Sequence, residues 1–97
     1  MEKKTIQQYN EIIDQKKWDA HNQNWLYIEI NAKALLEEVE PKVNNLTAVC
    51  KAMLEKMLEG DGFIVEPKIH SKVSGALTVR YYCDNLSPER RSYWEVQ

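Results

Sequence analysis

Between Asn45 and Glu59 the apolar residues Leu46, Val49, Cys50, Met53, Leu54, Met57 and Leu58 recur every three or four positions, and just past Gly60 the period falls to two. The first spacing lays one apolar stripe along a helix; the second divides a strand into an inner and an outer face. A chain carrying both in succession has to pack a helix onto a pleated sheet, so an α+β fold is expected. Each fully buried Leu, Val or Met on the stripe contributes roughly 1.5–3 kcal/mol, which makes the helix at 45–59 the expected anchor of the core. Gly60 suits the positive φ with which helices commonly end.

Past this switch, residues 63–69 and 76–83 read as two strands, and the connector 70–75 suits a hairpin with a loop longer than the tightest types. In the second strand Leu77, Val79, Tyr81 and Cys83 share one face, with Thr78, Arg80 and Tyr82 on the other. Pro67 lacks a ladder donor, so the first strand is expected to lie at a sheet edge or to bend there. Ahead of the switch, Ile6, Tyr9, Ile12 and Ile13 mark a first helix at 3–18, and the polar run 19–24 reads as a loop. Residues 25–30 read as a short strand, with Leu26, Ile28 and Ile30 facing one way and Trp25, Tyr27 and Glu29 the other. Asn31 is placed to cap a second helix whose apolar side is Ala32, Leu35, Leu36 and Val39. Pro41 stops that helix, because the residue before a proline is pushed out of the α region. Ser87 and Pro88 form a helix start, a capping serine with proline at the first helical position, so a short closing helix with Tyr93, Trp94 and Val96 is expected.

Ninety-seven residues suit one core and one domain: an N-terminal helix at 1–18, a body at 25–83 and a short helix or tail at 87–97. No run approaches the roughly 18–20 apolar residues of a membrane span, and the polar start has no secretory apolar region. With Cys50 and Cys83 as the two cysteines, free thiols in a cytoplasmic protein are expected in place of a disulfide scaffold. These cysteines and His21 and His70 lack the paired spacings of zinc sites. Gly60, Asp61 and Gly62 follow a helix instead of preceding one, so they read as a cap and turn and not as a phosphate loop. Glu37, Glu38 and Glu40 read as a solvated helix face. No enzyme, metal centre or cofactor is expected.

A net charge of −2 argues against coating nucleic acid by bulk positive charge. The charge is uneven, however: residues 1–66 sum to −4 and residues 67–97 to +2, which suits a local anionic contact on the last third. The order helix, short strand, helix, turn, helix, hairpin resembles the winged helix-turn-helix fold of DNA-binding regulators over residues 27–83. Residues 28–39 look like that fold's strand and second helix, 45–58 like its third helix, and 60–66 like the passage into the first wing strand.

The resemblance implies a winged-helix-like domain of three helices, a short strand and a C-terminal β-hairpin wing. It implies sequence-specific binding to double-stranded DNA, in a small transcriptional regulator whose third helix enters the major groove. The residues it singles out are Asn44, Asn45, Thr47, Ala48 and Lys51 at the helix start, Lys68, His70 and Lys72 on the wing, and Arg80 on the outward strand face. Asn pairs with adenine, Ala and Thr touch the thymine methyl, and Lys reaches guanine or phosphate. Ala52 and Glu55 complete the outward helix face; Glu55 and Glu59 oppose phosphates, leaving the first two turns for DNA. A homodimer on two half-sites is also expected, its seam formed by Tyr93, Trp94 and Val96 or by Ile6, Tyr9 and Ile13. Two other readings stand beside these. An outward face of Thr, Ala, Lys and Glu is what any solvated helix presents. The alternative function is a non-enzymatic protein-interaction module on the same fold, its aromatic residues and acidic first two-thirds contacting a protein.

Overall fold

In the computed structural model, which describes residues 3–84 and 86–95, three helices pack on a three-stranded antiparallel sheet. The order is α1 (Ile6–Asn22), β1 (Tyr27–Asn31), α2 (Ala32–Val39), α3 (Leu46–Glu55), β2 (Gly62–Val65) and β3 (Thr78–Tyr82), then a 3₁₀ turn at Tyr93–Glu95. Val96 of the expected closing helix lies outside the described residues. Among the described residues no helix is long and apolar enough to cross a membrane.

A capping box starts α1: the Thr5 hydroxyl accepts from the Gln8 N–H at 3.1 Å, and Gln8 Oε1 accepts from the Thr5 N–H at 2.8 Å. The helix runs on to Asn22 through most of the stretch expected as loop, because Lys17 and Ala20 continue the buried line of Tyr9 and Ile13. Asn24 then takes a left-handed turn conformation at φ 63°, which asparagine tolerates. Asn31 caps α2 as expected, its Oδ1 accepting from the Ala34 N–H at 2.9 Å, and α2 stops two residues before Pro41.

The third helix ends at Glu55, a turn earlier than its periodicity predicts. Beyond it the backbone finds distant partners. The Tyr93 N–H donates to the Met57 carbonyl at 3.0 Å, the Glu59 N–H donates to the Arg91 carbonyl at 2.8 Å, and Asp61 Oδ2 accepts from the Leu58 N–H at 2.7 Å. Gly60 forms the following turn at φ 93°. The same pairing explains why no helix starts at Ser87: residues 91 and 93 are held by Glu59 and Met57, and only the 3₁₀ turn remains.

The sheet order is β1-β3-β2, with Ile30 opposite Val79 and Phe63 opposite Val79 from the other side. Both C-terminal strands are shorter than expected. The β2–β3 register shifts between Phe63 and Val65, and the ladder stops there, before Pro67. Across the connection, the carbonyls of Leu77 and Gly75 accept from the Ala32 and Lys33 N–H groups at 2.8 and 3.4 Å, which ties the approach to β3 onto the start of α2. Leu77, Val79, Tyr81 and Cys83 all face inward, as their alternation predicts, against Tyr9, Ile13, Val49, Met53 and Met57. Tyr9 and Ile13 are therefore spent inside the domain's own core, and the N-terminal helix does not offer them as a dimer seam.

Charged side chains enter the core beside this sheet, Asp61 and Lys17 among them. Lys17 is buried with its Nζ donating to the Lys56 carbonyl at 2.6 Å and lying 4.6 Å from the centre of the Tyr81 ring. Burial lowers its pKa from 10.5 to about 8, against the opposing attraction of Asp61. The unfolded chain thus binds more protons than the folded one between these values, so stability rises with pH across that window. Wild type is expected to gain about 1 kcal/mol between pH 7 and pH 9 relative to Lys17→Met, read from urea melts of both proteins at each pH.

Candidate nucleic-acid interface

The outer face of α3 is narrower than its apolar stripe implies. Asn44, Thr47 and Lys51 are exposed, but Ala48 is half-buried against the core and Ala52 is fully buried. Both α1 and α2 pack on α3, and alanine is small enough to sit under neighbouring helices on the flanks of the stripe. Glu55 accepts from Asn10 Nδ2 at 3.1 Å, which turns the C-terminal end of α3 toward α1.

Asn45 has a different task from the one its position suggests. Its side chain makes no cap; Nδ2 donates to the Lys4 carbonyl at 2.9 Å and to Glu40 Oε1 at 2.8 Å. Glu40 Oε1 also accepts from the Tyr9 hydroxyl at 2.6 Å, and Oε2 accepts from the Lys4 N–H at 3.1 Å. The hydrogen bonds from Tyr9 and Asn45 hold the Glu40 carboxyl below its ordinary range. This buried carboxylate ties the entry of α1, the turn after α2 and the start of α3 into one unit. Asn45 is a tether there and has no donor left for a base.

The long connection 66–77 is clamped at its C-terminal end. Cys50 Sγ donates to the Ser74 carbonyl at 3.4 Å, and Asn31 Nδ2 donates to the Gly75 carbonyl at 3.1 Å. A Cβ on Gly75 would stand 3.4 Å from Lys33 Cβ, so the loop runs close over the first turn of α2. Lys33 thereby joins the side of the molecule where the loop meets α3, a placement that no local sequence signal could have supplied. Lys68 and His70 are exposed on the loop. Lys72, at φ 58°, pairs with Glu66 at 2.9 Å.

Arg80 does not join this side. Its neighbours Val79 and Tyr81 point into the core, so Arg80 lies on the opposite face of the sheet, with its guanidinium carbon 4.7 Å from the centre of the Tyr27 ring and Glu29 across the ladder. Of the residues singled out from the sequence, Asn44, Thr47, Lys51, Lys68, His70 and Lys72 remain exposed or half-exposed on α3 and the loop.

Burial pushes the thiols of Cys50 and Cys83 up, which disfavours the reactive thiolate. Among the described residues no group of three or more His, Cys, Asp or Glu side chains is placed to hold a metal ion. Comparison with protein-family models, with curated proteins and with solved structures finds no significant match to this chain.

Proposed function

We propose that the chain is a sequence-specific double-stranded DNA-binding protein acting as a small transcriptional regulator. In this reading the domain is winged-helix-like: α3 lies in the major groove, and the connection 66–77 is the wing. The observation that carries it is topological. Three helices and three strands follow one another in the order α1-β1-α2-α3-β2-β3, with sheet order β1-β3-β2, and the long β2–β3 connection is hydrogen-bonded to α3 through Cys50. In this reading the lysines of the connection and the exposed start of α3 share one footprint on the duplex. Asn44, Thr47 and Lys51 face the bases, while Lys33, Lys68 and Lys72 hold phosphates.

Selection of bound sequences from random duplex DNA, followed by a salt titration, tests this directly. An enriched sequence is expected, with affinity falling steeply as salt rises. Lys51→Ala costs roughly 1–3 kcal/mol on the enriched sequence and much less on random DNA. Lys72→Ala lowers the salt slope by about one. An inverted repeat in the enriched set reports a homodimer on two half-sites. No enriched sequence, together with weak and salt-insensitive binding, replaces this reading with the protein-interaction module.

A further inference from the structure

Among the described residues the sheet ends on one side at β1, which pairs with β3. The Cys83 N–H donates to the Leu26 carbonyl at 2.7 Å and the Ala32 N–H to the Leu77 carbonyl at 2.8 Å, which sets the phase of the ladder. Antiparallel pairs alternate between bonded and non-bonded. Ile28 and Ile30 therefore bond toward β3, and the N–H and C=O groups of Tyr27 and Glu29 point out of the free edge. The other edge, β2, is only four residues long and its register shifts midway, which blunts it against further pairing.

A cleft of about 350 Å³ runs along the β1 edge, between the second half of α1 and α2. Ala20, Ile28 and Leu35 supply its apolar lining, and the small side chain of Ala34 leaves room on the α2 side. Its charged groups are Asp19, Glu29, Glu38 and Lys16, and Lys16 is paired to Glu38 at 2.9 Å. The rim is therefore negative. At its start Trp25 and Leu26 are 53% and 55% exposed, large apolar surface that the fold leaves uncovered.

We propose that this edge receives an extended basic segment of a partner protein as a fourth strand. Main-chain bonds to Tyr27 and Glu29 supply the affinity, and alternate side chains supply the specificity. Apolar side chains of the segment enter the cleft over Ala20 and Leu35, and the intervening Lys or Arg side chains lie beside Glu29. Charge decides against a second copy as the occupant. Two β1 strands joined about a two-fold axis would merge two negative rims.

The test uses the full chain, ¹⁵N-labelled, with an acetylated peptide of alternating lysine and valine. Counterparts carry glutamate for lysine, or an N-methylated backbone that cannot donate. The lysine–valine peptide is expected to bind saturably and to slow amide exchange at Tyr27 and Glu29 by about tenfold or more, while both counterparts fail. Glu29→Gln, which removes the charge without setting a like charge against Arg80 across the ladder, weakens binding by about threefold or more. Lys51→Ala leaves peptide binding unaltered, which separates this proposal from the DNA-binding one. Equal binding of the acidic peptide, unchanged exchange at Tyr27 and Glu29, or self-association through this edge overturns the proposal. So does binding that fills the cleft without protecting those two amides, the signature of a small ligand.

Discussion

Asp61→Ala is expected to remove about 3–5 kcal/mol of stability, a large share of the roughly 5–15 kcal/mol that holds a domain folded. The Asp61 side chain has no exposed surface, and it answers several donors at once. Oδ2 accepts from the Leu58 N–H at 2.7 Å, and Oδ1 accepts from the Tyr82 N–H at 2.7 Å and from Arg90 Nη2 at 3.1 Å. Arg90 is itself 7% exposed and also donates to the carbonyls of Glu59 at 2.7 Å and Tyr82 at 3.0 Å. Alanine would deprive a buried guanidinium and the nearby Lys17 ammonium of the Asp61 charge, and the Leu58 and Tyr82 N–H groups of the carboxylate that accepts from them. Asp61→Asn keeps an acceptor but not the charge, so a smaller loss is expected. Urea melts of both variants and of Arg90→Met decide the matter through the double-mutant coupling. A loss under about 1 kcal/mol for Asp61→Ala would mean that the network adds little beyond an ordinary hydrogen bond.

Tyr81→Ala is expected to cost a further-reaching 3–5 kcal/mol, roughly the range for truncating a large buried aromatic. Tyr81 is fully buried on β3, and its hydroxyl donates to the Met53 carbonyl of α3 at 2.7 Å. Lys17 of α1 lies over the same ring. One side chain thus joins the sheet to two helices, and its removal opens a cavity where all three layers meet. Tyr81→Phe keeps the volume and loses the single hydrogen bond, for about 1 kcal/mol. Thermal melts rank the pair. A Phe variant as damaged as the Ala variant would show that the hydroxyl, and not the packing of the ring, joins α3 to the sheet. On the proposed DNA-binding reading, any tilt of α3, which carries Thr47 and Lys51, should also appear as weaker binding to duplex DNA.

Local patterns in this chain decided which side of each element is apolar and where two of the boundaries fall. The switch of period at Gly60 predicts a helix followed by strands, and the alternation from Leu77 to Cys83 predicts four inward residues; both describe the folded chain. The Asn31 cap and the Pro41 stop are equally local, since each acts through backbone within three residues of itself. The exposure of Thr47 and Lys51 was legible for the same reason. Where elements end was not. Residues 57–59 satisfy the last turn of the third-helix pattern just as well as residues 46–55, but their backbone pairs with residues 91–93 and with Asp61 instead. Lys17 lies in the expected first helix as one more polar residue off its stripe, and only the Lys56 carbonyl and the Tyr81 ring make its burial tolerable. Asn45 reads as a base-contacting residue at the helix start, and only the tertiary fold brings it Glu40 and the Lys4 carbonyl, which take its side chain. Arg80 and Lys33 likewise took their sides of the molecule from the sheet and from the path of the 66–77 connection. Periodicity is a property of neighbours in the chain, whereas a buried donor or charge is settled by whichever acceptor the tertiary fold brings to it.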